Sequence, residues 1–115
     1  MKKLLLLGLI ILPLIILSGC SEKAETKVSG DIILFVSRTC GHCAKVKEYI
    51  KQNNINNLVN YREVEAYDSD ENYSLFNQKA DECDLSQRGV PMVYAGGECQ
   101  IGSPNVINFF ENQAQ

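Results

Sequence analysis

Five consecutive apolar residues, Ile32 to Val36, lead through Ser37-Arg38-Thr39 into Cys40-Gly41-His42-Cys43. An unbroken run rich in branched and aromatic side chains, without alternation, suits a strand buried on both faces. Directly after it the period changes. Cys43, Val46 and Ile50 recur at helical spacing, with Lys45, Lys47, Glu48 and Lys51 mostly between them. This predicts a helix from about Gly41 to Gln52, fraying at Asn53-Asn54. A strand covered on both faces requires helices above and below its sheet.

The rest of the chain supplies those layers. Residues 58–66 (LVNYREVEA) alternate in part and predict a second strand. Asp68-Ser69-Asp70 offers helix-start residues with Glu71 in the first turn, and Tyr73, Phe76, Ala80 and Cys83 mark one face of a second helix. Residues 84–89 form a loop. Pro91 to Ala95 reads as a third strand, Gly96-Gly97 as a hairpin turn, and Glu98 to Ile101 as a fourth strand with Cys99 and Ile101 inward. Ser103 is expected as an N-cap with Pro104 at the first helical position, and Val106, Ile107, Phe109 and Phe110 as the buried face of a last helix. The order β-α-β-α-β-β-α predicts an α/β fold: a central mixed four-stranded sheet flanked by helices. A helix joins the first two strands, so they should run parallel.

Two cysteines spaced C-x-x-C can bind metal, form a structural bridge or do redox work. Here the pair follows a buried strand and opens a helix, the setting of a redox motif. Free N–H groups and the macrodipole at a helix N-terminus stabilise negative charge, which favours a thiolate at Cys40. Cys43 lies one turn on, facing inward. Cys40 is therefore expected to attack a substrate disulfide and Cys43 to resolve the mixed disulfide. His42, the single histidine, stands beside the thiolate and is expected to tune it; the bland alternative is a solvated spacer.

The chain begins as a targeting segment. Met1-Lys2-Lys3 is positive, residues 4–17 are almost wholly apolar, and Leu17-Ser18-Gly19-Cys20 ends the run at small residues. The apolar run is short for a membrane span. Leu17 to Cys20 resembles the lipobox of bacterial lipoproteins, which implies cleavage before Cys20 and lipidation of its sulfur. On that reading residues 1–19 are the signal peptide, residues 20–30 a lipidated cysteine and polar tether, and residues 31–115 the folded domain. Loss of Lys2 and Lys3 moves the formal charge from −3 to −5. No basic patch remains to suggest nucleic acid, and the lipid must hold an acidic domain at the membrane.

Ile33 to Cys43 (ILFVSRTCGHC), followed by Arg88-Gly89-Val90-Pro91, resembles the thioredoxin superfamily. CGHC is the active-site sequence typical of protein disulfide isomerases, and the compact size is closer to glutaredoxins. The resemblance covers about residues 31 to 113. It implies a cis peptide bond at Val90-Pro91, which would present Val90 backbone groups to an extended substrate beside Cys40. The sequence departs from thioredoxins at Leu34, where they carry a buried aspartate, and at Thr39, where they carry a tryptophan. Gly102-Ser103 matches the glutathione-binding element of glutaredoxins only faintly, and no glutathione use is inferred.

Cys83 and Cys99 form a second pair on expected apolar faces. A structural disulfide, two buried free thiols and a second redox pair compete, and export favours the bridge. A cysteine near Cys83 also occurs in thioredoxin-like domains fused to bacterial vitamin K epoxide reductase homologues, which implies a membrane redox partner.

The expectation is a membrane-anchored, extracytoplasmic thiol–disulfide oxidoreductase acting on exported protein thiols or disulfides. It needs no cofactor and is expected as a monomer. The alternative is a soft-metal, copper-type binding module built on the same cysteines. Against it, no second C-x-x-C or distant histidine completes a four-ligand site.

Overall fold

The structure is a computed structural model, and it describes residues 30–115. The signal peptide, Cys20 and the tether up to residue 29 lie outside the described residues.

Strand β1 (Ile32–Val36) is buried along its whole length. It pairs in parallel with β2 (Arg62–Glu65) and antiparallel with β3 (Met92–Ala95), which pairs antiparallel with β4 (Glu98–Ile101). The sheet order is β2-β1-β3-β4. Helix α1 (Gly41–Gln52) connects β1 to β2, α2 (Asp70–Glu82) connects β2 to β3, and α3 (Ser103–Gln113) closes the chain. The expected mixed four-stranded α/β fold is present.

The period of two in a strand explains why β1 is apolar throughout. Ile32, Leu34 and Val36 point to a core shared with α1 and α3 through Val46, Ile50, Val106 and Phe110. Ile33 and Phe35 point to the other face, where Phe76 and Ala80 of α2 cover them. Each face therefore claims alternate residues, and no position is left for a polar one.

Four local expectations shift. The second strand was expected over residues 58–66, but only Arg62–Glu65 pairs with β1. A 3-10 turn at Ile55–Asn57, entered through left-handed Asn54 (φ 56°), buries Ile55. Val59 N–H bonds back to the Ile55 carbonyl at 2.8 Å, which takes residues 58 and 59 out of reach of the sheet. Tyr73, expected on the inner face of α2, is half exposed, because the covered face is carried by Phe76 and Ala80. Ser103 is the first helical residue rather than the cap; Gly102 (φ 88°) occupies the cap, a backbone state open to glycine. Pro91 precedes β3 instead of belonging to it.

Gly96 and Gly97 (φ 58° and 84°) make the β3–β4 turn, with both residues in the left-handed region that two-residue hairpins require. Among the described residues, no helix is long and apolar enough to cross a membrane.

Candidate active site

The site forms where β1 ends. Cys40 is the N-cap of α1, in extended conformation (φ −95°, ψ 112°). Its own N–H bonds to the Ser37 carbonyl at 3.2 Å, and its carbonyl accepts from Ala44 N–H at 3.2 Å, the first bond of the helix. Its Sγ accepts from Cys43 N–H at 3.1 Å. A sulfur thus takes the capping place usually held by a Ser or Asp oxygen. The same N–H and the positive end of the helix favour negative charge on that sulfur.

Both cysteines are free thiols, Cys40 partly exposed and Cys43 buried. Burial pushes the Cys43 thiol up to about 12, helped by its hydrogen bond with Cys40 and by that sulfur's charge; the Ser37 backbone and Lys47 pull the other way. Lys47 pairs with Glu63 of β2 at 2.9 Å. The two sulfurs are therefore inequivalent. One is reachable and capped by an amide, and the other is enclosed and holds its proton.

The Val90–Pro91 bond is cis. The Cys40 thiol donates to the Val90 carbonyl at 3.6 Å, which places these residues together although fifty positions separate them. Pro91 carbonyl accepts from Gly102 N–H at 3.0 Å. His42 lies on the exposed side of the first turn of α1. Cys40, Cys43, His42 and Val90-Pro91 are thus brought together at one end of the sheet.

Cys83 and Cys99 are elsewhere. Cys83 is the C-cap of α2, and a disulfide joins it to Cys99 of β4, with Cα atoms 5.9 Å apart. Glu82 beside it accepts from the Tyr94 hydroxyl and pairs with Lys79. These partners hold the Glu82 carboxyl below the usual carboxylate range, Tyr94 first.

Sequence reasoning missed Tyr67 and the Arg38–Asp68 ion pair. The Tyr67 phenol is pushed up by burial first, then by Tyr73, Cys43 and Cys40. Its nearness to the cysteines follows from the parallel β1–β2 register, which no local pattern shows. Among the described residues there is no group of three or more His, Cys, Asp or Glu placed to hold a metal ion.

Fold and site together define a thioredoxin-like thiol oxidoreductase domain acting on thiols or disulfides. The glutaredoxin family model matches residues 32–100, and the chain belongs to the glutaredoxin family. Among solved structures, a buckwheat glutaredoxin in complex with glutathione aligns with a TM-score of 0.50 at 22% identity, covering 70% of this chain and 68% of that one. The holo form of glutaredoxin C1 from Populus tremula x tremuloides aligns with a TM-score of 0.50 at 23% identity, covering 78% and 76%. At these identities the likeness speaks to the fold. No curated protein matches the sequence.

Proposed function

We propose that this chain is an extracytoplasmic, lipid-anchored thiol–disulfide oxidoreductase that exchanges disulfides with exported proteins. The observation that carries the exchange reading is the asymmetric pair: capped, reachable Cys40 beside enclosed Cys43, with Cys40 Sγ 3.6 Å from the Val90 carbonyl. The anchor and the export rest on the lysine-led apolar leader and Leu17-Ser18-Gly19-Cys20.

Exchange begins from the dithiol state of Cys40 and Cys43. Cys40 thiolate attacks one sulfur of a substrate disulfide. That S–S bond breaks, a Cys40–substrate bond forms, and the other substrate sulfur leaves as a thiolate and takes a proton from water. Cys43 then loses its proton and attacks Cys40 Sγ. The second substrate thiolate leaves, and the electron pair has passed from the cysteines to the substrate. The reverse sequence oxidises a substrate dithiol.

Each neighbour has a part. A thiolate cannot donate, so deprotonation of Cys40 frees the Val90 carbonyl to meet an extended substrate segment. His42, when protonated, adds positive charge beside the leaving or attacking sulfur. The CGHC sequence leans toward oxidation or isomerisation. A reduction potential of about −180 to −120 mV would support that direction, and one of about −270 mV would make the protein a reductant. A copper-binding role would rest on the same two sulfurs, and no third ligand is grouped with them among the described residues.

The test is trapping with Cys43→Ala. The variant should accumulate a mixed disulfide between Cys40 and its exported partner, visible on non-reducing gels. No such adduct with any envelope protein, while Cys40 remains alkylatable, would overturn the reading.

A further inference from the structure

An aromatic surface adjoins the cysteine pair. Ala66 N–H bonds to the Val36 carbonyl at 2.9 Å, so the chain leaves β2 at the end of the sheet from which β1 runs to Cys40. Arg38, two residues before Cys40, pairs with Asp68 and ties the two loops together. Tyr67 sits between Ala66 and Asp68. Its ring lies 6.0 Å from Tyr73 and 6.0 Å from Phe76. Phe76 is buried and stands edge-on to Phe35 at 5.4 Å. The surface thus has a fixed base and an open top.

The open top is unusual for this molecule. Among the described residues, three large hydrophobic side chains are at least half exposed, and Tyr67 (53%) and Tyr73 (50%) are two of them. Single exposed apolar residues need no explanation, but a tilted pair of rings in mutual contact, seated on a buried Phe76 near a nucleophile, does.

We propose that Tyr67 and Tyr73 receive an apolar or aromatic side chain of a polypeptide substrate, next in sequence to the cysteine that Cys40 attacks. This rests on the exchange reading above and names its substrate class. The location supports it, since Tyr67 follows β2 at the end of the sheet where β1 runs to Cys40, and burial first, then Tyr73, Cys43 and Cys40, hold its phenol above its ordinary range. In the sheet order β2-β1-β3-β4, Val90 precedes β3 on one side of β1 and Tyr67 follows β2 on the other, so an extended segment crossing the end of β1 at Cys40 would run from one toward the other. The pair of rings offers an apolar residue a surface that the charged ends of glutathione cannot use, and two cations near the motif are already engaged, Arg38 by Asp68 and Lys47 by Glu63. Aromatic rings offer area instead, and rigid rings bind at low conformational cost.

The test uses the full reduced chain in detergent with matched disulfide-bonded peptides that differ only beside the cysteine, Phe in one and Ser in the other. Glutathione disulfide is the third substrate. The expected kcat/KM ratio of Phe to Ser peptide is about 5, with glutathione disulfide slower than the Phe peptide. Tyr67→Ser should bring the ratio to about 1, and Tyr67→Phe should keep it. A ratio near 1 in the parent, a ratio that survives Tyr67→Ser, or glutathione disulfide reacting faster than both peptides would overturn the proposal. Exchange with every substrate but no preference sinks this proposal alone. Exchange with none sinks the underlying reading as well.

Discussion

The molecule carries two pairs of cysteines at opposite kinds of helix end. Cys40 caps the N-terminus of α1, where an N–H points at its sulfur. Cys83 caps the C-terminus of α2, where carbonyls crowd and the dipole opposes a thiolate. Cys43 is one turn from Cys40 and remains a free thiol, whereas Cys99 reaches Cys83 from an edge strand and is bonded to it. On the proposed function the first pair exchanges disulfides, while the second fastens β4 to the end of α2.

The two pairs differ most at the nucleophile. Cys40→Ser should reduce disulfide exchange with peptide substrates to the uncatalysed background. Replacement of the other pair, Cys83→Ala with Cys99→Ala, should leave the rate of folded protein unchanged. A loss of exchange in the double variant, measured where it remains folded, would mean that the second pair takes part in electron transfer.

The same double variant should show its effect in stability. A bridge between residues 16 apart in sequence is worth about 3 kcal/mol in the chain-entropy model. Urea unfolding at neutral pH should show a loss of that order in the double variant and none of comparable size in Cys40→Ser.

Alkaline titration sharpens the difference within the first pair. The folded state holds the Cys43 proton up to about 12, above the ordinary value of 9.0. The stability that goes with this is fully present below pH 9 and is lost as pH rises from 9 toward 12, because the unfolded chain releases the proton first. Thermal midpoints of the parent should therefore fall more steeply across that window than those of Cys43→Ala. Equal slopes would place the alkaline sensitivity on another group.

The smallest effect belongs to His42. It is exposed, so water screens its charge from Cys40. His42→Ala should make the reduction potential more negative by less than about 30 mV, measured against a glutathione redox buffer. A shift in the positive direction would show that the imidazole does not favour the thiolate.

Much of this was legible from local pattern. The Ile32–Val36 run, the helical spacing of Cys43, Val46 and Ile50, and the Gly96-Gly97 turn each depend on neighbours within a few residues. Such signals survive without tertiary context. The failures lie where packing chooses between local options. Residues 58–61 carry a strand-like pattern, yet burial of Ile55 in a 3-10 turn draws them off the sheet. Tyr73 has the spacing of the buried face of α2 but lies beyond what Phe76 and Ala80 cover.

The sequence by itself determined the order of elements, the two-faced burial of β1 and the placement of Cys40 and Cys43 around the first turn of a helix. Those follow from periodicity and from the fixed geometry of three intervening bonds of chain. Only the tertiary structure decided that Val90 meets Cys40 across fifty residues, that Tyr67 leaves β2 at the end of the sheet from which β1 runs to Cys40, and that Cys83 bonds Cys99. Strand register and helix docking set those contacts, and both are properties of the whole packed sheet, which no short stretch of chain can specify.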